Sequence, residues 1–205
     1  MCDTLFARPL FVGAHMDDIE LFAGATLARF EKNARCLVFS THDGLPTAMP
    51  EREVVKGVKM YPDAVWQVRN FNAVDGTFQR KRESIAKRLR GYDSPSVVIT
   101  HQSSDTNQDH RTVYEEVVRV FKGKVPILCG SFPNNDIPAV QRTFFVTVTK
   151  YLIQRKLQAL ANYESQRVKG RTYFDEALVL SQARVWGSLI GEGFAEAFEV
   201  VRLWV

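Results

Sequence analysis

Short, almost wholly apolar runs alternating with longer amphipathic stretches constrain this chain more than any other feature. Residues 9–14, 35–40, 96–100 and 125–129 are such runs, and 64–71 and 144–149 read as further strands. Between and after them, 21–30, 51–61, 78–90, 112–121 and 151–163 carry apolar residues at helical spacing. A strand apolar on both faces needs cover on both. The strand–helix–strand order supplies that cover as crossover helices. The expectation is an α/β fold, a mostly parallel sheet with helices on both faces. The 205 residues, 45% hydrophobic and 24% charged, suffice for one large core, so a single domain over 1–205 is expected.

In open α/β sheets, ligands bind beyond the carboxyl ends of the strands. The run Leu10-Phe11-Val12-Gly13 leads directly into Ala14-His15-Met16-Asp17-Asp18. The run Ser96-Val97-Val98-Ile99-Thr100 leads into a second polar set, His101, Asp105, Asn107, Asp109 and His110. Loops at 13–20, 41–50, 101–110 and 130–138 would share one rim. His15 and Asp18, three apart across a strand-to-helix turn, can face one ion, and Asp17 can reach a water held there. His110, at the start of the next helix, is the third ligand on the same rim. Three mixed histidine and carboxylate ligands leave a position open for water, as in catalytic rather than structural zinc sites. Such an ion lowers the pKa of its water toward ~7, and a nearby carboxylate takes the proton as general base. The competing structural reading is that Asp17 and Asp18 only cap the following helix. Asp109 is suited to orienting a histidine or a substrate. His101 and Asp105 stay open between ligand, acid and loop-fixing group.

Other features narrow the function classes. The net charge of +4 comes from scattered basic residues, which argues against nucleic acid as partner. The run 80–90 reads as a solvated helix face with Ile85 and Leu89 inward. No window is long and apolar enough for a membrane span, and no signal peptide is expected. Cys2, Cys36 and Cys129 form no metal or disulfide pattern, which suits a reducing cytoplasm. Dinucleotide, P-loop and serine-nucleophile motifs are absent. Trp66, Trp186 and Trp204 are read as packing residues.

With these residues in view, the chain resembles the PIG-L/LmbE-like de-N-acetylases, zinc-dependent enzymes that remove acetyl groups from N-acetylglucosamine-containing conjugates. The family motif (A/P)-H-P-D-D-E is matched by Ala14-His15-Met16-Asp17-Asp18-Ile19. The motif H-x-x-x-D-x-H-x-D-H is matched by His101 to His110, with Asn107 in place of a histidine. The likeness continues through Gly24-Ala25-Thr26-Leu27-Ala28, Thr41-His42-Asp43-Gly44, Arg52 with Glu53, Lys156 to Ser165-Gln166, and Gly193-Phe194-Ala195-Glu196-Ala197-Phe198. It implies a Rossmann-like fold, zinc ligands His15, Asp18 and His110, and Asp17 as general base. It also implies Arg52 as a substrate contact, with Asp75 as a second candidate. Asp109 joins Asp17 and Asn107 among the catalytic candidates.

Three positions depart from the pattern. Met16 replaces proline and loosens the loop, and Ile19 replaces glutamate. Asn107 stands where the family histidine stabilises the oxyanion or protonates the leaving amine. An amide can do the first but not the second. The function expected is metal-dependent hydrolysis of an N-acetyl amide on an amino sugar or sugar conjugate, giving acetate and a free amine. Zn2+ is the expected ion, and other divalent transition metals fit the same ligands. Two alternatives stand beside it: a metal-holding sugar-conjugate binding protein that lost catalysis through Asn107, and an amidase on a non-sugar amide. The apolar run 200–205 leaves docking onto the core or a homo-oligomer open.

Overall fold

The computed structural model describes residues 2–40, 49–69, 77–130 and 141–204. In chain order the elements are α1 (Cys2–Leu5), β1 (Pro9–His15), α2 (Asp18–Phe30), β2 (Arg35–Ser40), α3 (Glu51–Lys59), β3 (Val65–Val68), α4 (Arg82–Arg90) and β4 (Val97–His101). There follow α5 (Gln108–Phe121), β5 (Ile127–Gly130), β6 (Phe144–Thr147), α6 (Lys150–Ala161), α7 (Glu164–Arg167), α8 (Glu176–Ser188) and β7 (Ala195–Arg202).

Seven strands form one sheet in the order β3-β2-β1-β4-β5-β7-β6. The first five in that order run parallel. Strand β7 pairs antiparallel with both β5 and β6. The expected mostly parallel α/β sheet is therefore present, with an antiparallel margin that the runs at 9–14, 35–40, 96–100 and 125–129 gave no sign of.

Side-chain alternation along the apolar runs divides the interior into two cores. Phe11, Cys36, Val38, Val97, Ile99 and Leu128 face one side, with Phe22, Leu27, Ile153 and Val179 of α2, α6 and α8. Leu10, Val12, Leu37, Phe39, Val98 and Ile127 face the other, with Ile85, Leu89, Val113 and Val117 of α4 and α5. Each large apolar side chain buried this way contributes ~1.5–3 kcal/mol, so both faces must stay covered. Cys36 and Cys129 are buried free thiols within these cores.

Helix α2 is broken at Ala23, where φ is −149° and ψ 22°. A break frees backbone groups that a continuous helix would pair. Here the distant C-terminal elements satisfy them. Glu196 on β7 accepts from the amides of Ala25 (3.2 Å) and Thr26 (2.6 Å). Lys156 on α6 donates from Nζ to the Leu21 carbonyl at 2.8 Å and to Glu196 Oε1 at 2.7 Å. The ion pair is buried. It holds the first turn of α2, which carries Asp18, against the sheet.

Candidate metal centre

Strand order reverses between β1 and β4. Strands β2 and β3 lie beyond one, β5 and the antiparallel pair beyond the other. That switch point leaves a crevice outside the carboxyl ends of the two strands. His15 closes β1, and His101 closes β4. Asp18 opens α2, and His110 sits in the first turn of α5. Parallel pairing thus brings together residues nearly a hundred positions apart.

The cluster is buried, with His15, Asp17, Asp18, His101, Asp105, Asp109 and His110 none more than 4% exposed. Ligand atoms of His15, Asp18 and His110 lie within 4.8 Å of one another. His15 Nδ1 is 3.2 Å from His110 Nε2, and His110 Nε2 is 3.3 Å from Asp18 Oδ1. The outward nitrogen of each ring faces its own carboxylate. His15 Nε2 lies 3.4 Å from Asp109 Oδ2, and His110 Nδ1 lies 2.8 Å from Asp105 Oδ2. Asp109 is itself fixed by the Phe78 amide at 3.1 Å.

A neutral imidazole has a single N–H. Donated outward to Asp109 or Asp105, it leaves a lone pair on the inner nitrogen. Two lone pairs and a carboxylate oxygen then converge in one buried space, which is repulsive unless a cation sits among them. This is the carboxylate–histidine arrangement usual around bound metals. With a proton as the only cation, burial works against charge on His110, but Asp18 and Asp105 outweigh it and raise the imidazolium to about 10. Burial likewise opposes charge on Asp18, and His110, His101 and His15 overcome it, holding the carboxyl well below its usual value. The donor set therefore fits a divalent transition metal of borderline softness, zinc included.

His101 plays a different part from His110. Its Nε2 accepts from the Ala14 amide at 3.0 Å and lies 3.2 Å from Asp18 Oδ2. Its ring stacks on His110 with centroids 4.0 Å apart, and Phe22 meets it edge-on at 5.3 Å. Burial and the neighbouring His110 lower its pKa, which favours the neutral ring; with Asp105 and His110 it also offers ligand atoms within 4.8 Å of one another. Phe22 needs Gly130 beneath it, since a Cβ there would lie 2.7 Å from the Phe22 side chain.

The remaining candidates separate clearly. Asp17 occupies the N-cap position of α2, yet its side chain makes no capping hydrogen bond. Asp18 Oδ2 accepts from the His15 amide at 2.6 Å, within the strand-to-helix turn. Capping therefore does not account for either carboxylate. Asn107 does cap: its Oδ1 accepts from the amides of Asp109 (2.8 Å) and His110 (3.4 Å), starting α5 four residues before the expected 112. Its side-chain N–H group is left over for other work. Arg52 is exposed on α3 and makes no hydrogen bond or ion pair to the cluster among the described residues. Its neighbour Glu53 is the buried one, accepting from Ser165 Oγ at 2.7 Å. Asp75 and His42 lie outside the described residues, as do most of the loops 41–50 and 130–138.

One acidic residue near the cluster was not singled out from the sequence. Glu20, one position beyond Ile19, is fully buried, and burial raises its carboxyl to about 8. Its Oε1 lies 2.6 Å from Tyr163 Oη, which is 3.2 Å from the Met16 carbonyl. Tyr163 Oη has one proton for two acceptors, so a protonated Glu20 donating to Tyr163, with Tyr163 donating to Met16, uses both contacts and leaves Glu20 Oε2 without a partner among the described residues. This chain steadies the loop between His15 and Asp18. Its only sequence cue is a carboxylate within an otherwise apolar helix face.

Comparisons with known proteins identify the family and the fold. The family model PIG-L, described as GlcNAc-PI de-N-acetylase, matches residues 10–121. No curated protein matches the chain by sequence. Among solved structures, a conserved protein of Thermus thermophilus is similar at 23% identity, with 97% of each chain covered and a TM-score of 0.74. The N,N'-diacetylchitobiose deacetylase of Pyrococcus horikoshii is similar at 14% identity, with 95% of this chain and 83% of that one covered and a TM-score of 0.73. GalB, the 4-carboxy-2-hydroxymuconate hydratase of Pseudomonas putida, is similar at 15% identity, with 97% and 98% covered and a TM-score of 0.71. A deacetylase and a hydratase on one fold show that the site, not the fold, must decide the reaction.

Proposed function

The chain belongs to the PIG-L family of GlcNAc-PI de-N-acetylases, and from that membership we propose that it hydrolyses the N-acetyl amide of an amino sugar or sugar conjugate, releasing acetate and a free amine. The observation that carries the reading is the buried convergence of His15 Nδ1, Asp18 Oδ1 and His110 Nε2, with Asp17 uncommitted to any helix cap. These three residues would hold a divalent ion. When bound, such an ion supplies Lewis acidity and lowers the pKa of a coordinated water toward ~7.

The chain's own residues do the rest. Asp109 and Asp105 fix the two imidazoles from outside, keeping their inner nitrogens unprotonated. Asp17 accepts the proton of the attacking water as the new C–O bond forms at the amide carbonyl. It returns that proton to the nitrogen as the C–N bond breaks, giving a carboxylic acid and a neutral amine. The Asn107 N–H group donates to the carbonyl oxygen as negative charge develops there. Arg52 and Asp75 remain proposed substrate contacts, and cytoplasmic location and a 1–205 domain remain part of the reading. No helix among the described residues is long and apolar enough to cross a membrane.

The test is amine release from a panel of N-acetyl amino sugars and their conjugates, with added zinc and with Asp17→Ala as control. Release by the native chain, reduced ~10²–10⁴-fold in the variant at unchanged metal content, is the expected result. Normal turnover by the variant would remove Asp17 from its role. A second reading, binding without catalysis, is favoured by one observation: Asn107 is tied to the α5 cap and supplies no transferable proton. A large gain of activity in Asn107→His would support that reading.

A further inference from the structure

A second concave site lies away from the metal centre, on the face of the sheet edge formed by β2, β3 and α4. Ser84, Lys87 and Arg88 of α4 and Gly91 just past its end follow one another at helical spacing on the side turned toward β3. With Gln67 and Tyr92 they line a cavity of about 530 Å³, within the size range of small-ligand sites. Leu37 pairs in register with Gln67, and Arg35 with Val65, so Arg35, Gln67 and Arg69 share that face. The Arg35 guanidinium lies over the Tyr92 ring, 5.2 Å from its centroid, and Arg69 Nη2 donates to Gln67 Oε1 at 3.2 Å.

We propose that this cavity binds a phosphate group, with Lys87 and Arg88 as its cationic wall, Arg35 and Arg69 adding charge from beside the lining residues Tyr92 and Gln67, and Ser84 and Gln67 as neutral hydrogen-bonding partners.

Three observations carry the assignment. None of the four cations forms an ion pair with a carboxylate among the described residues, whereas the cations on the adjoining side of α4 do. Arg82 pairs with Glu115 and Glu116, and Arg90 and Arg119 both pair with Glu83. Within α4, the cations left without an ion pair among the described residues, Lys87 and Arg88, are the two that line the cavity. Convergent like charges repel, and a dianion relieves that repulsion more fully than a neutral ligand would. Second, the floor holds unused donors. Tyr92 is only 8% exposed, and among the described residues its hydroxyl has no hydrogen-bond partner, nor does Arg69 Nε. Burial raises the Tyr92 hydroxyl while Arg35, Arg69 and Arg88 pull it back, so all three guanidinium groups act on this one point. Third, three of the four cations are arginines, whose planar forks match phosphate geometry.

The phosphate could be inorganic or carried on a small molecule, and the test separates the two. Isothermal titration at low ionic strength uses inorganic phosphate and glucose 6-phosphate against three proteins, all treated with chelator. They are the native chain, Arg69→Ser/Arg88→Ser, and Asp18→Asn. Saturable binding to the native chain and to Asp18→Asn, weakened at least ~10-fold in the double arginine variant, is expected. Lys87→Ala, on an exposed position, gives the same direction should the double variant prove unstable. Tighter binding of glucose 6-phosphate would identify a carried phosphate, and equal binding the free ion. Binding lost in Asp18→Asn but kept in the arginine variant would place phosphate at the metal centre and overturn the proposal. Absence of saturable binding to the native chain would also overturn it, as would arginine-dependent binding of an oligonucleotide but not of phosphate.

Discussion

The Lys156–Glu196 pair offers a stringent test of the architecture. Removing one partner of a buried ion pair leaves an uncompensated charge and typically costs ~3–5 kcal/mol, whereas replacing both by apolar residues is often neutral or stabilising. The geometry here predicts a departure from that second rule. Glu196 accepts from the Ala25 and Thr26 amides, and Lys156 donates to the Leu21 carbonyl. In Lys156→Met/Glu196→Leu the two charges disappear together, but those three backbone groups stay buried at the Ala23 break. At ~1–3 kcal/mol for each unsatisfied group, the double variant should lose at least ~3 kcal/mol. For a chain of this size that lowers Tm by roughly 6–12 °C. Chemical denaturation of the native chain, both single variants and the double variant completes the cycle. Recovery of native stability by the double variant would refute the reasoning and show that α2 closes its own break once the charges are gone.

Further outcomes follow from the same structure. Asp105→Asn and Asp109→Asn should each weaken metal binding ~10–100-fold, read by competition with a chelating dye, because each carboxylate orients one proposed imidazole ligand. Glu20 titrates near 8 in the folded chain against 4.5 as the ordinary value. The folded state therefore keeps a proton that the unfolded state has lost, and stability should fall as pH rises from about 4.5 to about 8. Glu20→Gln should flatten that fall, matching the native chain at pH ~5 and exceeding it at pH ~9 in thermal melts; parallel curves would refute it. Gly57→Ala would set a Cβ 2.2 Å from Tyr163 Oη and press on the chain from Tyr163 to Glu20 and Met16. A loss of ~1–3 kcal/mol is expected in denaturant melts.

The central chemistry was legible because its residues follow strands whose apolar runs are unmistakable. Ala14-His15-Met16-Asp17-Asp18 and His101 to His110 each trail a buried strand, and parallel pairing does the rest. Asp105 and His101 could not be resolved from sequence, since short polar residues in loops serve many ends. Only the proton accounting around His110 and the stacking of His101 tell them apart. Helix α8 went unread because two of its large apolar residues, Leu178 and Val185, are exposed, as are Leu189 and Ile190 just past its end, and they blur its periodicity. Strand β7 went unread because Glu196 and Glu199 interrupt its two opposite faces, one of them for the sake of α2. Glu20 and Glu53 looked like ordinary helix carboxylates, and nothing local marks a partner such as Tyr163 or Ser165, more than a hundred residues away. Asp75 fell on a stretch outside the described residues, so its proposed role still rests on resemblance alone.

Every residue proposed for the chemistry at the metal centre, the loop contacts aside, lies between positions 15 and 110, yet the turn that aims Asp18 is held from positions 156 and 196. The portable unit is therefore larger than the reactive one. A graft that carried only the two strand-end motifs onto another α/β sheet would import the ligands without the brace and leave an exposed break in its first helix. Substitutions far along the chain, in an α6 lysine or a β7 glutamate, would then register in an assay as catalytic defects although neither side chain meets substrate.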